Sequence, residues 1–373
     1  MKTSEDPRLK KYAETLVERS AEVEKGDDVY ILVKSLEALP LFEEVRRQVI
    51  DKGGFPHEKI LYDTQSGENN DYYWMKNASE EQLERTSEAE LEFMEKMDSF
   101  IKIKGLENNR SLSDIDPQRI STWGETTDKI KEARIDTKWA LCAFPTNALA
   151  QQSEMATEEF EEFIFKAVNN TDWKELERKN EEIKQMFDKA QKVRIKDENT
   201  DLSFSIEDRE GVSSIGRRNI PDGEVFYAPR KDSFDGKISF EHPVNARGKE
   251  VSGIELTFED GELVEYTADT NQEFLEKMIE TDEGSKYVGE FGIGTNRNID
   301  RYIKYTLFDE KIGGTVHFAL GRAYKMNFSE ENMAERNESS IHWDIVKDLR
   351  KRVGGGKIIL DGEVVQKNGE WVY

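Results

Sequence analysis

A single cysteine, Cys142, is all the thiol that this chain of 373 residues carries, so no intramolecular disulfide can brace it. It lies in the apolar run WALCAF, where a small buried hydrophobe is expected. No apolar stretch approaches the roughly 18 residues of a membrane span, and the charged start MKTSEDPRLKKYAETL has no signal-peptide core. A cytoplasmic protein is the expectation. Positive charge is also short, with 54 Lys and Arg against 78 Asp and Glu and a net charge of -24. That deficit argues against a sequence-independent grip on DNA or RNA, which needs basic patches, and against docking on anionic lipid. The expected partners therefore include no nucleic acid and no membrane. An acidic surface suits a salt-rich cytoplasm and an ordinary cytosol alike. Histidine is scarce too, at four residues, which makes any pair of imidazoles close to a carboxylate informative.

What the chain does have is organisation in two styles. Up to about residue 190, apolar runs of strand type alternate with helical periodicity. DVYILVKS, HEKILYDT, SFIKIKGL and DTKWALCAFP read as strands. PRLKKYAETLVERSAEVEKG (closing on Gly26), LPLFEEVRRQVIDKGG, SEEQLERTSEAELEFMEKM, TEEFEEFIFKAV and DWKELERKNEEIKQMFDKAQ read as helices. This rhythm predicts an N-terminal α/β domain, residues 1–190, with a largely parallel sheet. From Val193 onward short alternating segments are separated by turns, and EDGEL, LDGEV and KNGEW are hairpin signals. A mixed, strand-rich α+β domain is expected over residues 191–373. No internal repeat or low-complexity linker separates the two.

The chemistry concentrates between Phe308 and Leu349. In IHWDI the apolar Ile341, Trp343 and Ile345 alternate with His342 and Asp344, the period of a strand with two unlike faces. His342 and Asp344 then share a face and can reach one metal ion, whereas on a helix they would stand about 200° apart. His317 precedes them in GGTVHFALG. Tyr324 follows it by seven residues, a same-face spacing on a helix, although Gly321 between them argues against a regular one. Two carboxylates stand out by context. Glu224 follows a Pro-Asp-Gly turn, and Glu290 lies in GEFGIG, where glycines allow close approach of the backbone. Among so many acids, a surface glutamate in a turn is the plainer account of either one. GEFGIG lacks the Lys-Ser/Thr of a phosphate loop. His57, at a helix-to-strand turn, reads as structural, and His242 carries no assigned role.

Four segments in order, PDGEVFYAPRKDS, GEFGIGTN, LFDEKIGGTVHFALGRAY and SSIHWDIVKDLR, resemble the successive signatures of the thermophilic aminopeptidase T family, the M29 metallopeptidases. The resemblance is sharpest over those blocks and looser in the N-terminal half. It implies a metalloaminopeptidase that hydrolyses N-terminal residues from short peptides with a water activated by two metals. It further implies two divalent metal ions per subunit (Zn, Co, Mn or Mg), held by Glu224, Glu290, His317, His342 and Asp344. Catalytic roles fall to Tyr324, as a donor to the oxyanion, and to Glu290, as the proton carrier. A homodimer enclosing a cavity that admits short peptides is likewise implied. The changes around these positions, Tyr227 and the pair Arg230-Lys231, bear on substrate preference. Two rivals remain: a non-catalytic peptide-binding protein that kept the architecture, and a metal-dependent amidohydrolase for another small amide.

Overall fold

A computed structural model describes residues 6–61, 72–108, 110–246 and 249–372. The far end of the HEKILYDT strand (residues 62–64), the first five residues and Tyr373 lie outside these. Two compact units emerge. The first takes the chain up to Asn170 together with Gly216–Pro221, and the second comprises Thr171–Ile215 and Asp222–Tyr373. The expected division near residue 190 falls inside the second unit. The reason is the helix Trp173–Phe187, which buries Leu176, Ile183 and Phe187. The last two belong to the second unit's core.

The first unit is built on a parallel sheet in the order Phe55–Leu61, Asp28–Lys34, Ser99–Lys104, Lys138–Ala143, Asn219–Ile220. Asp28–Lys34 is buried along nearly its whole length, as a central parallel strand covered on both faces must be. Cys142 is fully buried, as expected. Three local expectations change. The first helix ends its regular α turns at Glu14 and passes through a wider turn over Thr15–Ser20. Gly26 is therefore not its cap but sits at φ +98° in the following loop. The stretch read as one helix around residues 80–97 is two, Glu80–Leu83 and Glu88–Glu95, because Ser79 and Ser87 each cap a new start. Helices Pro117–Thr126 and Asp128–Ile135 carry no amphipathic signal strong enough to read. Of their described side chains only Ile130 is buried.

The second unit packs an eight-stranded antiparallel sheet against a five-stranded one. Phe204 of the first, and Phe234 just before one of its strands, meet Phe291 and Phe318 of the second with ring centroids 4.9 to 6.3 Å apart. All three hairpin signals are realised. Asp260-Gly261, Asp361-Gly362 and Asn368-Gly369 each hold two successive positive φ angles, the requirement of the tight turn that suits strand twist. The five-stranded sheet runs His342–Asp348, Thr315–Gly321, Val288–Gly294, Glu224–Tyr227, Val212–Ser214.

Candidate metal centre

The four strands from His342–Asp348 to Glu224–Tyr227 have two unlike faces because their sequences alternate. Trp343, Ile345, Val316, Phe318, Leu320, Phe291, Ile293, Val225 and Tyr227 go into the core. The other face carries the candidate ligands. Across the antiparallel ladder Glu290 pairs with Ala319 and Ala319 with Asp344. Likewise Gly292 pairs with His317, Gly321 with His342, and Gly294 with Glu224. Directly paired residues share a face, so all five candidate ligands point the same way. Beside them on this face stand the small residues Gly292, Gly294, Ala319 and Gly321, with Phe226 and Val346 flanking. Gly292 is the sharpest case: a Cβ there would lie 2.0 Å from Cε1 of His317. The middle glycine of GEFGIG, Gly292, makes room for an imidazole, while Gly289 and Gly294 lie against backbone.

Two ligand groups result, Glu224–Glu290–His317 and Glu290–His342–Asp344, each with donor atoms within 4.8 Å of one another. His317 Nε2 lies 3.1 Å from Glu290 Oε1 and 3.4 Å from Glu224 Oε2. His342 Nε2 lies 3.5 Å from Asp344 Oδ1 and 3.9 Å from Glu290 Oε2. Nδ1 of His342 is 2.7 Å from the Arg322 carbonyl. A carbonyl only accepts, so Nδ1 carries the proton and donates, which leaves Nε2 as the nitrogen able to bind a metal. An outer partner that fixes the tautomer is the usual arrangement for a metal-binding histidine.

The donor set fits divalent metal. Glu224 Oε2, Glu290 Oε2, His317 Nδ1 and Asp344 Oδ1 are buried without a hydrogen-bond partner, each an expense of about 1–3 kcal/mol that a protein rarely leaves uncompensated. Three of the four are carboxylate oxygens on the ligand face. Carboxylate with imidazole suits Zn²⁺, Co²⁺ or Mn²⁺. The electrostatics agree. Burial pushes Glu224 up to about 8, against the pull of Lys311 and His317. Burial also disfavours charge on the histidines, yet Glu290, Glu224 and Asp344 raise His317 to about 9, and Asp344 and Glu290 raise His342 to about 10. Asp344 goes down to about 2 despite its burial, because His342 and then His317 and Lys311 favour its charge. The raised histidines report the negative field of the three carboxylates around them.

Tyr324 does not continue a helix from His317. The strand ends at Gly321, with φ +101°, and Tyr324 lies just beyond, its ring 4.7 Å from His342 and 6.0 Å from Phe226. It is 40% exposed. Desolvation, tempered by that exposure, and then Glu290, Asp344 and Glu310 raise its phenol well above 10, so it keeps its proton. Tyr227 faces the core and donates to Asp188 at 2.8 Å, while Lys231 lies over the Tyr287 ring at 4.0 Å. Tyr227 is thus a core residue, turned away from the candidate ligands. His57 pairs with Asp28 at 2.7 Å. His242 stacks on Tyr302 and reaches Asp348 at 3.2 Å.

Sequence reasoning missed Glu310 and Lys311. Lys311 is completely buried, its ammonium on Glu224 at 2.9 Å, on Glu310, and 3.7 Å from Asp222. Burial alone would lower it, but those three carboxylates hold it well above its ordinary value. The one available signal was the charged triplet Asp309-Glu310-Lys311, three residues ahead of the buried strand Thr315–Gly321.

Residues 5–371 match the family described as thermophilic metalloprotease (M29). Aminopeptidase 2 of Geobacillus stearothermophilus is 27% identical over 420 aligned positions, covering 99% of this chain and 98% of that protein. Aminopeptidase AmpS of Bacillus subtilis is 33% identical over 204 positions, 47% of this chain and 48% of that protein. The structure of wild-type AmpT from Thermus thermophilus aligns with a TM-score of 0.83 at 22% identity, over 98% of this chain and 99% of the other. A 2,5-dihydroxypyridine dioxygenase from Pseudomonas putida aligns at 0.56 and 14% identity, over 98% and 96%. At such identities the structural likenesses speak for the fold, which hosts more than one chemistry.

Proposed function

The chain belongs to the thermophilic metalloprotease family M29, and on that premise we propose that it is a metal-dependent aminopeptidase removing N-terminal residues from short peptides. Glu224, Glu290 and His317 would hold one divalent ion, and Glu290, His342 and Asp344 a second. The observation that carries this is the membership of Glu290 in both groups, so that its carboxylate would be within reach of either ion. Charge supports the count. With the imidazoles neutral and the carboxylates ionised, as metal ligands must be, Asp222, Glu224, Glu290, Glu310 and Asp344 against the one ammonium of Lys311 would leave four negative charges for two divalent ions to offset.

A bound pair of divalent ions supplies polarisation of the scissile carbonyl and a lowered pKa for the attacking water. The chain's own residues do the rest. Glu290 is the carboxylate to take the proton of that water and pass it to the leaving amine, through an oxygen that the ions leave free. Tyr324 keeps its proton and donates a hydrogen bond to the developing oxyanion. The Arg322 carbonyl keeps His342 in the tautomer that presents Nε2. The site would accept Zn, Co, Mn or Mg.

The test is hydrolysis of leucine p-nitroanilide by protein stripped with chelator and resupplied with each ion in turn. Loss on stripping and recovery with one ion is expected. Equal turnover of the N-acetylated substrate would instead point to a general amidase, and no turnover with any ion to a peptide-binding protein. We further infer a cytoplasmic homodimer. No helix among the described residues is long and apolar enough to cross a membrane. Light scattering should give about twice the 43.2 kDa chain mass, and a fully active monomer would contradict the dimer.

A further inference from the structure

Lys311 has no role in the chemistry above, yet it is fully buried against the candidate ligand Glu224. Lysine is among the side chains least often buried, and then only when paired. Its ammonium has three donors and three carboxylates around it. Nζ is 2.9 Å from Glu224 Oε1 and 3.7 Å from Asp222 Oδ1, and it also bonds Glu310 Oε1. The two oxygens of Glu224 are therefore in different hands. Oε1 is on the lysine, while Oε2 has no hydrogen bond and lies 3.4 Å from Nε2 of His317.

The placement is enforced by the backbone. The Lys311 carbonyl accepts from the Asn296 amide N–H at 3.0 Å, and the Asn296 side chain donates to the Asp222 carbonyl at 2.8 Å. Gly223 between Asp222 and Glu224 sits at φ +133°, where a Cβ would come within 2.8 Å of Asn296 Cβ. Lysine, turn and ligand are thus tied at both ends. The second ligand group is built differently: the near partner of Asp344 is the ligand His342 at 3.5 Å.

Resting on the metallopeptidase proposal, we propose that Lys311 is a positioning residue of the metal centre: its ammonium holds one oxygen of Glu224 so that only the other faces the cation, and occupies Glu310 and Asp222, which would otherwise compete for it. The consequence is specific to the group of Glu224, Glu290 and His317.

The experiment is a titration of the stripped full-length protein with Co²⁺ against a competing chelator, followed by the visible bands of the bound ion. Wild type should bind two equivalents. Lys311→Met should weaken one of them by about 10–100-fold, the usual cost of losing an outer partner of a ligand, with a changed spectrum for that ion and little change in the other. The double variant Lys311→Met/Glu310→Gln restores the charge balance, which protects the fold, but cannot restore the grip on Glu224. It should remain as weak. Unaltered binding in Lys311→Met, or recovery of binding in the double variant, would overturn the positioning role; recovery would mean that Lys311 only balances charge. Failure of the wild type to bind two ions would remove the two-metal proposal itself, and this one with it.

Discussion

Glu290 divides the ligand face into two halves that differ in access. On one side Glu224 and His317 are sealed, 6% and 0% exposed, and backed by the buried ammonium of Lys311. On the other, His342 and Asp344 are only partly buried, and the half-exposed ring of Tyr324 stands beside His342. The same sheet face thus yields a closed pocket of donors and, one strand over, an open one. A sealed donor set holds an ion away from exchange with solvent. An open set can hold an ion and also meet a substrate. The proposed division of labour is that the first half anchors and the second half works.

The comparison breaks most completely at the residue that both halves share. Glu290→Ala should cost at least about 10³-fold in kcat/KM and lower the bound metal from two equivalents, with an unchanged circular dichroism spectrum. Full activity would remove Glu290 from the mechanism. Tyr324→Phe touches the open half alone. It should lower kcat by about 10²–10³-fold, the value of one preorganised oxyanion donor, while metal content stays at two. A loss of metal instead would make Tyr324 a structural residue.

Gly292→Ala is the matching probe of the closed half. Its new Cβ has no room beside the His317 ring, so the imidazole must move. Metal affinity of that group should fall about 10–100-fold, with a stability cost of about 1–3 kcal/mol from overpacking. Calorimetric titration and thermal melting separate the two effects.

The smallest effect concerns how the open half is held. Asp282 accepts from the Ser340 N–H and hydroxyl at 2.7 Å each, and from Ser339 and Ser285. It thereby pins the chain just before His342. Burial would raise this carboxyl, but those donors, Ser340 first, bring it down to about 2. A depressed folded pKa stabilises above the unfolded value and loses that contribution as pH falls from about 4 towards 2. Asp282→Asn should therefore cost about 1 kcal/mol at neutral pH once solvent screening is allowed for, or a few degrees in Tm. It should also flatten the acid limb of a plot of Tm against pH. An unchanged acid limb would show that Asp282 is not the anchor.

The open half was the more legible of the two in the sequence. IHWDI declares a two-faced strand through alternation alone, and that puts His342 and Asp344 side by side before any fold is known. Glu224, Glu290 and His317 carried no such signal. They come from three strands brought together by long-range pairing, and local pattern says nothing of which strand lies beside which, so the family resemblance supplied them. The hairpins were legible because Asp-Gly and Asn-Gly pay almost no strain for the φ angles they need. Lys311 and Glu310 were not, since in a chain where 35% of residues are charged one more charged triplet marks nothing until its burial is seen. The helix Trp173–Phe187 was read correctly as a helix but assigned to the wrong side of the division at residue 190. Its periodicity shows that it has an apolar face, not which core that face joins.

The central claim is that two ions share Glu290. Anomalous diffraction from crystals of the full chain grown with Mn²⁺ tests it most directly. Two peaks are predicted, one among Glu224, Glu290 and His317 and the other among Glu290, His342 and Asp344, with Glu290 reaching both. A single peak at full occupancy, or two that do not share Glu290, would contradict it.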